Sequence, residues 1–308
     1  MSIYVIGHQT PDLDSVAAAI SYANYKNKLE NTDVYIPAVA GEINLATKAV
    51  LDKFNINKPK ILESASGESI IMVDHNEFAQ AVTGIEEAKI IEVLDHHKMD
   101  FSYADPINIT VRPWGSSNSI IYHLYKAHNI KIEKDMAALM LSAILDDTVI
   151  TKSPTTTEKD KEVITELASI AEVGDWQALG IEIFKAKSGV KDLSAMEILK
   201  SDYKDFDFKA GKFGIGQVET VDMSDFEGRE AELLEEMKKL KETDNYHAVI
   251  LLITDILKQG SIVLAVSDEP ERVEKALEIK FKNEQAYKEG LMSRKKQVVP
   301  VFTGEFDN

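Results

Sequence analysis

Short apolar runs alternate with helical patterns in the first half of the chain. The runs IYVI (3–6), VYIPAV (34–39), IIMV (70–73) and IIEVL (90–94) are rich in β-branched residues and almost uninterrupted by polar ones, as strands buried on both faces are. Between them, 15–28 and 43–54 carry apolar residues at helical spacing. The alternation predicts a parallel α/β sheet with helices on both faces. From about 117 to 187 the periodicity becomes mostly helical, in SIIYHLYKAH, DMAALMLSAIL, EKDKEVITELASIA and DWQALGIEIFKAK, and these helices are expected to cover the sheet.

The pattern breaks at SGVKDLS, where Ser188 and Gly189 interrupt two helical stretches. Beyond it, KFGIGQVETV, HAVILLIT, GSIVLAVS and KQVVPVF read as strands around a long helix over 225–243. Two domains are therefore expected: 1–188, a linker or hinge at 189–194, and a smaller α/β domain over 195–308. The run REAELLEEMKKLKE is most simply the solvated face of an amphipathic helix with i,i+4 charge pairs.

In parallel α/β sheets, ligands bind in the crevice beyond the carboxyl ends of the strands. Here those positions hold His8, Asp12 and Asp14 after the first run, Asp74 and His75 after the third, and Asp95, His96 and His97 after the fourth. Each has an ordinary use when taken singly. Asp12 or Asp14 can cap a helix, Asp74 and His75 can lock a turn, Asp146 and Asp147 can end a helix, and His96 and His97 can sit in an exposed loop. Capping, however, needs one Asp per helix and gives no reason for imidazoles at two strand ends, so the cluster reads as a metal site. Imidazole and carboxylate donors without sulfur suit Mn²⁺, Co²⁺, Mg²⁺ or Zn²⁺, and the surplus of carboxylates leans toward the harder ions, manganese first. The donors are too many for one ion and enough for two that share a carboxylate, an arrangement that accompanies phosphoryl or hydrolytic chemistry.

Composition narrows the setting. A formal net charge of −17, from 52 acidic and 35 basic residues, would repel a phosphate backbone, so no nucleic-acid partner is expected. The absence of cysteine excludes a disulfide framework and thiolate ligands and fits a reducing compartment. No apolar run is long enough to span a bilayer and no signal-type segment opens the chain, so a cytoplasmic protein with no membrane partner is expected.

The segments GHQTPDLDS, VDHNE, LDHH, LSAILDDT followed by KSPT, and SRKKQVVP resemble, in order and along nearly the whole chain, the family II manganese-dependent inorganic pyrophosphatases of the DHH phosphoesterase superfamily. The DHH box alone would point to the superfamily; its combination with SRKKQVVP is more specific. The resemblance implies a DHH domain followed by a smaller DHHA2-type domain with a mixed sheet. It implies two Mn²⁺ (or Co²⁺) per chain, with His8 and Asp12 on one, Asp14, His96 and Asp147 on the other, and Asp74 bridging. Asp147 is preferred to Asp146 because the family pattern has a variable residue before an Asp followed by Ser or Thr.

By the same likeness Asp95 orients an imidazole and His97 faces the substrate, while Lys204, Arg294 and Lys295 bind phosphate. The activity implied is hydrolysis of pyrophosphate between the domains, with a further Mg²⁺ arriving with the substrate, in a homodimer paired through the first domain. In WGSSNSI (114–120), Ser117 and Asn118 depart from the family's usual loop. The catalytic segments follow one another too closely to hold the regulatory nucleotide-binding insertion of some members. Two rivals stand beside this reading. A short-chain polyphosphatase shares the superfamily chemistry, whereas the oligonucleotide branch carries a GGGH-like motif that is missing here. A catalytically silent sensor would have lost a ligand, and none is missing.

Overall fold

The computed structural model describes residues 2–188 and 193–307, which form two compact units meeting at Lys187/Ser188 in the chain. Most of the expected hinge, 189–192, lies outside the described residues. In the first unit, strand β1 (Ile3–Ile6) leads into helix α1 (Leu13–Glu30), followed by β2 (Tyr35–Val39), α2 (Leu45–Lys53), β3 (Lys60–Ile61), β4 (Ser69–Val73), β5 (Lys89–Asp95) and β6 (Asn108–Val111). Helices α3 (Ser117–Ala127), α4 (Lys134–Asp147), α5 (Glu158–Ala171) and α6 (Trp176–Ser188) complete it.

All six strands run parallel in the order β3-β2-β1-β4-β5-β6. The chain leaves β1 toward β2 and returns on its other side as β4, so the strand order reverses between β1 and β4. In an open sheet that is where a crevice forms at the carboxyl ends. Ile70, Met72, Ile90 and Val93 pack on one face against Ala81, Val82 and Ile85, from the connection between β4 and β5.

Helix α1 starts two residues before the apolar pattern suggested. Asp12 caps it by accepting the Ser15 N–H at 2.9 Å, and Asn31 ends it in the left-handed conformation (φ 52°). The first half of α1 is buried on every side, as its small residues Ala17, Ala18 and Ala19 permit.

The second unit contains α7 (Ala195–Lys200), β7 (Tyr203–Phe208), β8 (Gly211–Thr220), α8 (Glu230–Thr243), β9 (Ala248–Asp255), β10 (Gly260–Ser267), α9 (Pro270–Leu277), β11 (Gln285–Glu289), a π-helical turn (Arg294–Val298) and α10 (Val299–Phe306). Its sheet is mixed, ordered β11-β10-β9-β8-β7, with β8 and β9 parallel and the other pairs antiparallel. Two apolar clusters occupy its two faces. Leu233 and Met237 of α8 meet Leu251 and Ile253 on one, and Phe302 and Phe306 of α10 meet Phe213 and Ile250 on the other.

One expected strand is absent. KQVVPVF lies in the π-helical turn and α10, because Val298, Phe302 and Phe306 recur every fourth residue, all buried, and Pro300 sits in the first turn of the helix, where its missing N–H costs nothing. The five-stranded sheet is instead completed by two polar edge strands, YKDFDF of β7 and QAYKE of β11. Among the described residues, no helix is long and apolar enough to cross a membrane.

Gly7 lets β1 pass close to the start of α1. A Cβ at this position would strike the Ser15 side chain and lie 3.2 Å from the Ser15 carbonyl oxygen. Gly7→Ala is therefore expected to destabilise the first unit by about 1–3 kcal/mol, as overpacking does. Urea unfolding measures this, and an unchanged midpoint would show that α1 moves aside freely.

Candidate metal centre

Three strand ends and two helix ends converge beyond the carboxyl edge of the parallel sheet. His8 follows β1, Asp12 and Asp14 open α1, Asp74 follows β4, His96 and His97 follow β5, and Asp147 closes α4. Within this space one donor group comprises His8, Asp12 and Asp74, and another comprises Asp14, Asp74, His96 and Asp147, with Asp74 common to both. His97 lies beside His96, ring centroids 4.1 Å apart, and forms a third group with Asp74 and His96.

Asp74 takes a left-handed conformation (φ 60°), uncommon for a residue with a side chain but tolerated by Asp. Its N–H still donates to the Leu94 carbonyl at 2.9 Å, so the turn is held by the sheet. One carboxylate oxygen lies 3.6 Å from His8 Nε2 and the other 3.3 Å from His96 Nε2.

His96 Nδ1 donates to the Trp114 carbonyl at 3.0 Å, and its Nε2 faces Asp74 (3.3 Å), Asp147 (3.4 Å) and Asp14 (4.0 Å). That nitrogen is buried and has no hydrogen-bond partner. A buried imidazole nitrogen with no hydrogen-bond partner, ringed by carboxylate oxygens, is the donor set a cation completes. Manganese suits it, as a divalent ion that accepts imidazole and carboxylate together.

The electrostatics agree. Burial first, and then the charges of Asp14 and Asp12, raises the Asp74 carboxyl well above the ordinary range. Burial and then Asp14 and Asp74 do the same to Asp147. Burial opposes a charged His96, but Asp14 and Asp147 outweigh it and raise its pKa. For Asp12, burial acts upward and is overcome by the contact with His8, for a net lowering.

The two helix-end carboxylates differ in support. Asp14 lies in the first turn of α1 and also accepts the Ser117 N–H at 2.8 Å from the start of α3, so two helix N-termini face its charge. Asp147 and Asp146 sit at the carboxyl end of α4, where the helix dipole opposes negative charge. Asp146 turns to Lys187, at 2.9 and 3.1 Å, and Asp147 belongs to the donor group. After Asp147, Val149, Ile150 and Thr151 are all left-handed (φ 49°, 51° and 66°). Ile150 is buried there, against the bare backbone of Gly180 on α6.

Asp95 is fully buried and accepts the N–H groups of His96 (2.7 Å) and His97 (3.2 Å), His97 Nδ1 (2.9 Å) and Asn76 Nδ2 (2.6 Å). Burial pushes its carboxyl up, and these bonds, that of His97 foremost, bring it below the usual range. The imidazole that Asp95 orients is thus that of His97, which presents Nε2 away from the carboxylate. His75 donates Nδ1 to the Val73 carbonyl, and burial lowers its pKa to about 4.

The remaining candidates belong to the second unit. Lys204 is exposed on β7 and Lys295 is exposed on the π-helical turn. Arg294 is buried; it donates to the Asp202 carboxylate (2.9 Å) and carbonyl (2.5 Å) and to the Ile215 carbonyl (3.0 Å), while its Nε has no partner. Lys204 pairs with Ile215 across β7 and β8, so these two cations approach one stretch of the sheet.

The fold and the donor set are those of a DHH-type protein. Residues 2–144 match the DHH family, N-terminal domain, and 181–304 match the DHHA2 domain. The chain is 44% identical to the manganese-dependent inorganic pyrophosphatase of Methanothrix thermoacetophila, over 99% of this chain and 98% of the relative, and 41% identical to that of Bacillus subtilis, over 98% and 97%. A crystal structure from Methanococcus jannaschii, assigned to the family II inorganic pyrophosphatases, aligns over 99% of this chain and 100% of that one, with a TM-score of 0.64 and 41% identity. The chain belongs to the manganese-dependent, family II inorganic pyrophosphatases.

One supporting residue was not apparent in the sequence. Asp160, wholly buried, accepts the Gly115 N–H (2.9 Å), the Ser119 hydroxyl (2.6 Å), and the N–H (2.7 Å) and hydroxyl (2.6 Å) of Thr157. It ties the start of α5 to the 115–119 loop whose backbone holds Asp14. The only local signal is a Thr-x-x-Asp capping pattern, which says nothing of the loop. Asp160→Ala leaves these buried donors without an acceptor and should cost about 3 kcal/mol or more. Denaturant midpoints of the metal-free chain test this, and a shift below about 1 kcal/mol would mean that water or the loop replaces the carboxylate.

Proposed function

We propose that this chain hydrolyses inorganic pyrophosphate to two phosphates at two cations, Mn²⁺ or Co²⁺, held by His8, Asp12 and Asp74 and by Asp14, Asp74, His96 and Asp147. The observation that carries the reading is the pair of donor groups meeting at Asp74, in a chain whose relatives are manganese-dependent pyrophosphatases. Cations so held supply positive charge and Lewis-acid polarisation where negative charge develops in phosphoryl transfer.

The side chains supply the rest. Because Asp95 occupies Nδ1 of His97, the exposed Nε2 is free to pass a proton to or from a phosphoryl oxygen. Lys204, Lys295 and the unpartnered Nε of Arg294 bring positive charge to the phosphoryl groups, which a chain of net charge −17 needs locally. A further Mg²⁺ accompanies the substrate. The reading extends to a homodimer paired through the first unit, where β6 offers an open sheet edge with Ile109 exposed, and to a cytoplasmic location, which a chain without cysteine fits.

Phosphate release from pyrophosphate and from tripolyphosphate in Mn²⁺ is the direct test, and faster release from tripolyphosphate would favour a polyphosphatase. Lys204→Ala and Lys295→Ala should each lower pyrophosphate turnover on the order of 10²-fold with unaltered metal content, the usual effect of removing one preorganised charge contact. Normal kinetics in both variants would make them solvated surface lysines.

Metal content gives an independent check. Equilibrium dialysis at fixed free Mn²⁺ should find two equivalents in the wild type and a loss at both sites in Asp74→Ala, since this carboxylate is common to both groups. A single equivalent in the wild type would refute the paired centre.

A further inference from the structure

Asn118 lies in the first turn of α3, is completely buried, and directs its amide at one ligand of the candidate centre. Its Nδ2 donates to Asp14 Oδ1 at 2.8 Å and to the Asp14 carbonyl at 3.1 Å. Its Oδ1 accepts the Ser21 hydroxyl at 2.9 Å, from two turns further along α1. These partners settle the orientation of the amide, since both Asp14 atoms are acceptors and the serine hydroxyl is the only donor.

The Asp14 carboxylate is divided by these contacts. Oδ1 receives the Ser116 hydroxyl, Asn118 Nδ2 and, more weakly at 3.4 Å, the Asn118 N–H. Oδ2 receives the Ser117 N–H and is the oxygen nearest His96 Nε2. Oδ1 is therefore the more heavily bonded oxygen, and Oδ2 is turned toward the donor group.

We propose that Asn118 is a positioning residue that fixes the Asp14 carboxylate and thereby sets cation affinity in the Asp14, Asp74, His96 and Asp147 group, without acting on the His8, Asp12 and Asp74 group. The inference rests on the paired-cation reading above. Its selectivity comes from the contact pattern, because Asn118 touches Asp14, which only one donor group contains. Ser117 provides the contrast, since its hydroxyl donates at 2.9 Å to Asp74, which both groups contain. Removing a hydrogen-bond partner of a ligating side chain typically weakens metal affinity 10- to 100-fold. The wider loop contacts to Asp14 survive the loss of the amide, so the carboxylate stays in place but is free to turn.

The test is a Mn²⁺ titration of the full chain, with free Mn²⁺ read by electron paramagnetic resonance, on the wild type and on Asn118→Ala, Ser21→Ala and Ser117→Ala. Asn118→Ala is expected to weaken one equivalent about 10-fold or more and leave the other unchanged. Ser117→Ala should weaken both. Ser21→Ala, which frees the amide without touching Asp14, should weaken the same single equivalent by less, and it decides the matter if Asn118→Ala does not fold. Thermal midpoints of the metal-free chains show whether general loss of structure accompanies the change. Two wild-type equivalents that both shift, or both stay, in Asn118→Ala (or in Ser21→Ala if that variant is the one that folds) overturn the inference alone. Fewer than two equivalents in the wild type overturn the paired centre and this inference with it.

Discussion

Asp14, Asp74 and Asp147 surround one imidazole nitrogen in a space largely closed to water, and their mutual repulsion is the force against which the first unit is built. Two like charges about 4 Å apart repel by about 4 kcal/mol at an effective dielectric constant near 20. A typical hydrogen bond contributes only about 1 kcal/mol net. Hydrogen bonds can therefore orient such a group of carboxylates but cannot neutralise it. The raised pKa values of Asp74 and Asp147 express the same imbalance, which a divalent cation relieves.

The topology limits how that repulsion is borne. The reversal between β1 and β4 opens the sheet where Asp74 must stand, and the left-handed turn at Asp74 aims its two oxygens at imidazoles from different strands. Asp14 receives the N–H groups of α3 as well as its own helix dipole, whereas Asp147 stands at the wrong end of α4 and has no such help. Support for the centre is thus uneven, and it comes mainly from the 114–119 loop, which Asp160 ties down from behind. The second unit has a different chemistry of its own, an exposed lysine on β7 and a buried arginine beside an exposed lysine in the π-helical turn.

What the sequence reveals depends on whether the partner is local. The four apolar runs of the first unit are strands because burial leaves few polar positions in them, and their ends could be inspected directly for Asp and His. Edge strands escape such a reading. YKDFDF and QAYKE are exposed on one side and carry charges, so only their pairing with β8 and β10 makes them strands. KQVVPVF misleads in the opposite direction, since its β-branched residues outweigh a four-residue period that extends past the quoted run to Phe306. Asn118 was visible as an unusual residue in a loop, but its link to Asp14 and Ser21 spans about a hundred residues and exists only in the folded chain. Asp160 is hidden for the same reason.

The left-handed run after Asp147 has a consequence for anyone seeking a hardier version of this protein. Val149 and Thr151 occupy a backbone region that disfavours branched side chains, and asparagine tolerates it far better. Replacing either residue by asparagine would relieve that backbone cost, each gaining up to about 1 kcal/mol. Ile150 is the exception, because its side chain fills the notch left by Gly180 and anchors the turn to α6. Engineering that turn as a whole would trade the fixed exit of Asp147 for thermal endurance, so the route to a robust variant runs through Val149 and Thr151 and around Ile150.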